Sequence, residues 1–134
     1  MQLLQSQNII MEYGLLARAG EELRKLHAPC RAAVISDSNA GPLYGGPLAD
    51  SLRKAGFQPF RFDIPAGEEH KNLTTYASVL DFMAQSGLSR GDIVIALGGG
   101  VTGDLAGFAA ATYQRGIPVV QMPSSLLAMT DSAM

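Results

Sequence analysis

Residues 92–104 read Asp-Ile-Val-Ile-Ala-Leu-Gly-Gly-Gly-Val-Thr-Gly-Asp. An apolar, β-branched run meets three consecutive glycines, and a helix-forming segment from Asp104 to Thr112 follows at once. Glycine has no Cβ, so main chain here can turn sharply and approach a bulky anion closely. A helix N-terminus adds N–H groups without intrahelical partners and the positive end of the dipole, which favours phosphate. The spacing Gly98-x-Gly100-x-x-Gly103 fits the Gly-x-Gly-x-x-Gly pattern of dinucleotide sites, with the strand before it and the helix after it in place. One feature departs from that pattern. An acidic residue that grips the ribose is expected about 20 positions on, at the end of the next strand; that place holds Pro123-Ser124-Ser125. A ribose would have to be held from another loop, with Asp37 or Glu68 able to serve.

Three further loops carry small, hydroxyl or ionisable side chains: Asp37-Ser38-Asn39, Gly67-Glu-Glu-His-Lys-Asn72 and Ser124-Ser125. Each follows an apolar run that reads as a strand, and in open parallel sheets ligands gather beyond the carboxyl ends of the strands. Their convergence with the glycine turn outweighs any single motif. Plainer roles exist for the same residues. Asp37 and Asn39 are both good turn formers. Glu68 and Lys71 could be a solvated pair, and Asp104 a charge that suits the helix dipole. Gly103 and Gly107, four apart, fit a helix that must sit close to a sheet. Glu69 and His70 read as surface groups, Arg115 as a surface charge, and Cys30 as a small buried hydrophobe. His27 has no assigned role. Two histidines and one cysteine, far apart, do not make a zinc site.

The elements that would position these loops alternate. Asn8–Glu12 reads as a short strand, Leu15–Leu26 as a helix, Arg31–Ser36 as a buried strand. Leu48–Ala55 reads as a helix stopped by Gly56, and Gln58–Ile64 as a strand. Pro65–Asn72 is expected to be a loop. Leu73–Gln85 is expected to be an amphipathic helix with Leu73, Tyr76, Ala77, Leu80, Met83 and Ala84 on its inner face, ended by Gly87. The strand from Asp92 is apolar throughout, as a strand covered on both faces requires. A helix to about Thr112, a strand at Pro118–Met122 and a further segment at Leu126–Met129 complete the series. Strands separated by helical segments of about 10–15 residues point to β-α-β units. The expected fold is therefore α/β, a Rossmann-like, mainly parallel sheet flanked by helices, with right-handed crossovers.

Bulk properties set limits. The chain has 134 residues, 47% hydrophobic and 16% charged, with a net charge of -2. That suits one globular domain and gives no footprint for nucleic acid. A single cysteine excludes an internal disulfide and suits a reducing compartment, so cytoplasm is the default. No apolar run nears the roughly 20 residues that span a bilayer, and nothing resembles a signal peptide. The sequence stops at Met134 in mid-pattern, which reads as a piece of a longer protein.

Four motifs in order resemble the dehydroquinate synthase family: Ser36-Asp-Ser-Asn39, Pro65-Ala-Gly-Glu-Glu-His-Lys-Asn72, Gly98 through Pro118, and Pro123-Ser-Ser-Leu-Leu-Ala128. The resemblance runs from about Ile10 to Asp131 and implies that residues 1–134 are an NAD-binding α/β domain, without the helical domain that carries the family's divalent metal (zinc or cobalt) and most phosphate-binding residues. It implies conversion of deoxy-arabino-heptulosonate 7-phosphate to dehydroquinate in the shikimate pathway, a carbon–oxygen lyase reaction that releases phosphate. NAD is a catalytic cofactor there, and the full-length protein a homodimer acting on a small molecule. Carried over by position, Asp37, Asn39, Glu68, Lys71, Gly99, Gly100, Val101, Asp104, Ser124, Ser125 and Leu127 are implied to hold the cofactor, and Asp131 to touch substrate. Ser124-Ser125 stand where the family usually has two threonines, and the lysine that normally follows Asp131 in the family is missing from these 134 residues. Alternatives are a sister sugar-phosphate cyclase making an inosose or valiolone, an iron-dependent alcohol or glycerol dehydrogenase, and an NAD-binding module with no chemistry of its own.

Overall fold

The computed structural model describes residues 15–125. The expected strand at Asn8–Glu12 and the segment at Leu126–Met129 lie outside them. Within that range the chain forms α1 (Leu15–Arg24), β1 (Arg31–Asp37), a π-helical turn (Gly41–Gly45), α2 (Gly46–Lys54) and β2 (Gln58–Ile64). A 3₁₀ turn (Glu68–His70), α3 (Leu73–Gln85), β3 (Ile93–Gly98), α4 (Gly100–Thr112), a second 3₁₀ turn (Tyr113–Arg115) and β4 (Val119–Pro123) follow.

The strands form one four-stranded parallel sheet in the order β2-β1-β3-β4. All six residues of β3 are buried, as its apolar run requires. Strand side chains alternate between faces. Val34, Ile93 and Ile95 meet Ala19 and Leu23 of α1 and Leu48 and Leu52 of α2 on one face. Ala33, Ile35, Val94 and Ala96 meet Val79 and Met83 of α3 and Ala106 and Ala109 of α4 on the other. Leu48 and Leu52 are both 0% exposed, and burial of each contributes roughly 1.5–3 kcal/mol relative to leaving it in water.

This arrangement sets the site. From β1 the chain runs outward to β2 over the α2 face; from β3 it runs the other way to β4 over the α4 face. The order reverses between β1 and β3, and a crevice opens beyond their carboxyl ends, where Asp37 and the glycine turn lie.

Two expectations are corrected. α3 buries Thr75, Val79 and Met83, whereas Leu73, at 79% exposure, and Ala77 and Ala84 face outward. Asn72 fixes the helix phase: its side chain accepts the Thr75 N–H at 3.0 Å as an N-cap, which places Leu73 in the exposed first turn. The second helix does not begin at Leu48. It begins at Gly46, directly after the π-helical turn, and ends where Gly56, at φ 97°, takes the left-handed conformation of a helix stop.

Candidate functional site

Each loop at the carboxyl edge is held by identifiable contacts. The Pro65–Gly67 segment is tied to the β1 loop, since Ser38 N–H donates to Ile64 O at 2.9 Å and Ala66 N–H donates to Ser38 Oγ at 3.0 Å. The π-helical turn leans on β2: Arg61 Nη2 donates to Gly41 O at 3.2 Å. A side chain at Gly41 would strike the Asp63 carboxylate and one at Gly45 the Arg61 guanidinium, so these two positions admit only glycine without rearrangement.

The glycines of the central turn have different reasons. A Cβ on Gly98 would lie 2.5 Å from Asp37 Oδ2 and 2.9 Å from Thr102 Oγ1. A Cβ on Gly99 or Gly100 would meet nothing within 4 Å. A Cβ on Gly103 would lie 2.7 Å from Gln121 Oε1, and Gln121 Nε2 donates to Gly103 O at 3.2 Å, so this glycine serves the packing of α4 on β4. Gly99 is the N-cap of α4 and offers no side-chain cap; the first helical bond runs from Gly103 N–H to Gly99 O at 3.0 Å. The amides of Gly100, Val101 and Thr102 precede that bond and have no partner within the helix.

Two hollows border this turn. One, of about 470 Å³, is lined by Asp37, Asn39, Leu43, Tyr44, Pro65–Gly67, Gly99, Gly100, Val101, Thr102, Ser124 and Ser125. That volume lies in the range of ligand sites, roughly 300–1,000 Å³. The other, of about 560 Å³, is lined by Gly98–Gly100, Gly103, Asp104, Gln121 and Pro123–Ser125. Of the site residues expected from the sequence, Asp37, Asn39, Val101, Gly99, Gly100, Ser124 and Ser125 thus meet at the first hollow, and Asp104 joins the last four at the second. Glu68 is exposed on the turn after Gly67 and lines neither. Lys71 also lies outside both, but its Nζ bonds Asp104 Oδ2 at 2.8 Å, and that bond, then the fields of Asp104 and Glu68, raise its pKa above the usual lysine value. The pair is exposed, 44% and 63% for the two side chains, so solvent screens it. Leu127 and Asp131 lie outside the described residues.

Asp37 is different. It is 8% exposed, and burial alone would raise its pKa. Donors from Ala40, Thr102, Asn39 and Gly99 outweigh that and hold it below the ordinary aspartate value. Arg115 sits at the opposite edge of the sheet, beyond the end of α4 and before β4.

The sequence reading missed the Leu43–Tyr44 wall and Thr102. Gly41-Pro42 and Gly46-Pro47 flank the apolar pair, and that punctuation was the available signal. Nothing local marks Thr102. Among the described residues no three His, Cys, Asp or Glu side chains gather to hold a metal, and no helix is long and apolar enough to cross a membrane.

Comparison with known proteins bears on what this edge holds. The chain is 49% identical over 126 residues to a 3-dehydroquinate synthase of Streptococcus pneumoniae, covering 94% of this chain and 36% of that protein. It is 50% identical over 120 residues to one of Geobacter metallireducens, covering 90% and 33%. The chain therefore spans about a third of the length of the curated relatives it matches. Among solved structures, a 2-deoxy-scyllo-inosose synthase superposes with a TM-score of 0.75 at 26% identity, over 84% of this chain and 31% of that one. A 2-epi-5-epi-valiolone synthase from Streptomyces hygroscopicus, with NAD+ and Zn2+ bound, superposes with a TM-score of 0.72 at 34% identity, over the same shares. A glycerol dehydrogenase from Schizosaccharomyces pombe, at 21% identity and a TM-score of 0.68, shares the fold. The family model for the 3-dehydroquinate synthase N-terminal region matches residues 61–134, which include the glycine turn, Glu68, Lys71 and Ser124-Ser125. By that match and by its near-half identity to those enzymes, the chain belongs to the 3-dehydroquinate synthase N-terminal family.

Proposed function

We propose that this chain is the NAD-holding part of a 3-dehydroquinate synthase, an enzyme that cyclises deoxy-arabino-heptulosonate 7-phosphate with loss of phosphate. The observation that carries the reading is the bare, uncapped turn at Gly99–Gly100: an added Cβ there meets nothing within 4 Å, and the α4 amides behind it border a hollow of about 470 Å³. Such a turn at a sheet's reversal point fits the diphosphate of a dinucleotide. When bound, NAD would supply a hydride acceptor that the same turnover restores.

The chain's own residues would divide the remaining work. The amides of Gly100 and Val101 bind the diphosphate, Gly99 leaves its approach clear, and Asn39 offers an amide to a ribose. Ser124 and Ser125 supply hydroxyl donors from the end of β4. Lys71 offers a cation on the rim, shared with Asp104 and in the field of Glu68. Leu127 and Asp131 stand at positions that the family resemblance assigns to cofactor and to substrate. The divalent metal and most phosphate contacts belong to a C-terminal part like those of the longer relatives.

Titration calorimetry with NAD tests the reading. Saturable one-to-one binding is expected, weaker after Glu68→Ala and Asp104→Ala. Absence of heat with both NAD and NADH at millimolar concentration would overturn it.

A further inference from the structure

We propose that Gln121 is a positioning residue: its amide ties the first turn of α4 to β4 and so sets the separation between the glycine turn and Ser124-Ser125. The inference deepens the NAD reading and rests on it for its ligand readout alone.

Gln121 is the one polar residue of β4, which reads Val-Val-Gln-Met-Pro. The sheet places it on the α4 side. It pairs with Ala96 of β3, which belongs to the core shared with α3 and α4, and residues paired across neighbouring strands share a face. Val120 and Met122, on either side of it, join the other core. A half-buried amide therefore rises where alternation would put one more apolar side chain.

The helix leaves room for that amide. A Cβ on Gly103 would lie 2.7 Å from Gln121 Oε1, and one on Gly107 would lie 3.6 Å from Nε2, so the amide lies against both glycines. Packed elements ordinarily keep their register through side chains that interlock. Two glycines offer none, so sterics oppose sliding of α4 along β4 only weakly at this contact. The bond from Gln121 Nε2 to Gly103 O, at 3.2 Å, supplies the register instead. Its place is what matters. Gly103 also makes the first helical bond, from its N–H to Gly99 O at 3.0 Å. Gly99, Gly103, Gln121 and Ser124 thus mark a continuous path from the turn to the end of β4, and all four line the hollow of about 560 Å³. A cleft whose sides already stand at their binding separation loses less affinity to reordering.

The test uses Gln121→Met, which keeps the length and loses the donor, Gln121→Ser, Gly103→Ala, whose methyl would push the amide aside, and the Gln121→Ser/Gly103→Ala double variant of this chain. Two readouts are taken: affinity for NAD, and hydrogen exchange along α4 without ligand. Each single variant is expected to weaken NAD by about three- to tenfold, as the loss of one hydrogen bond would. The double variant should be no weaker than Gly103→Ala, since one tie is being removed twice. In Gln121→Met, exchange should quicken at the Gly103 and Asp104 amides and stay as in the parent over Ala106–Thr112. Parent affinity in Gln121→Met or additive losses in the double variant would overturn the proposal. So would an exchange rise spread evenly over α4, which would mark a general loss of stability rather than a lost register. Should the parent chain bind no nucleotide, the NAD reading falls and exchange still decides. Faster exchange confined to the first turn in Gln121→Met upholds the tie, and unchanged or uniform exchange refutes it.

Discussion

Two buried aspartates join β1 to β3, one at each end of the strand pair. Asp92, just before β3, accepts the Arg31 N–H at 2.9 Å and the Ser89 N–H at 2.8 Å. Asp37, at the end of β1, reaches Thr102 and the glycine turn beyond β3. Both are 8% exposed. Their chemistry is the same, and their surroundings differ. Asp92 lies at the amino edge of the strands beside Arg31 and Ser89. Asp37 borders a hollow that an uncapped helix start also lines. A buried carboxylate is thus no mark of a site by itself; what stands in front of it decides.

The comparison can be broken by substitution. Asp92→Ala removes the acceptor of two backbone amides and of the Ser89 hydroxyl. At about 1.5–3 kcal/mol for each hydrogen bond to the charged carboxylate, it should give the largest fall in Tm, read by thermal melting, with nucleotide affinity of the folded fraction unchanged. Gly98→Ala comes next. Its methyl would sit 2.5 Å from Asp37 Oδ2, and overpacking of this kind costs about 1–3 kcal/mol. Here affinity should fall along with Tm, because the damage is at the carboxyl edge.

Acid melts sharpen the contrast further. Asp37 has a depressed folded pKa, so its stabilisation is fully present above the unfolded aspartate value of about 3.9. It is lost as pH falls through the lower folded value, because the unfolded chain then takes up the proton first. Asp37→Asn should flatten that part of the stability curve; an unchanged acid limb would contradict the hydrogen bonds that Asp37 accepts. Beside the other aspartate, burial and then the Asp92 charge push the Cys30 thiol up to about 11. Alkylation by iodoacetamide should be slow at neutral pH and quicken in Asp92→Ala. The smallest effect is expected at Lys71–Asp104, where the exposed pair should contribute nothing measurable to Tm, and salt should leave the melt unchanged.

Much of this was legible in the residues. β2 and α3 have the bounds that alternation, the helical period and the flanking Asn72 and Gly87 imply. The glycine turn was readable because strand, glycines and helix are contiguous. What escaped was set by partners distant in sequence. The π-helical turn depends on Arg61 and Asp63 of β2, so its Gly-Pro pairs read as simple punctuation. The inner face of α3 was misplaced because Leu73 and Ala77 look apolar, whereas the cap at Asn72 turns Thr75 and Val79 inward. Lys71 was paired with Glu68 by proximity in sequence, yet its partner is Asp104, 33 positions away. Asp37 read as a turn former or a ligand. Its tie to Thr102 has no local signature at all.

The most direct measurement of the central claim compares NAD titrations of the parent chain and Gly100→Val. The added side chain begins in open space, so it should leave Tm near that of the parent while filling the cradle. Binding in the parent and none in Gly100→Val is the expected result. Equal affinity in the two proteins would contradict the account, because the dinucleotide would then be held somewhere other than at this turn.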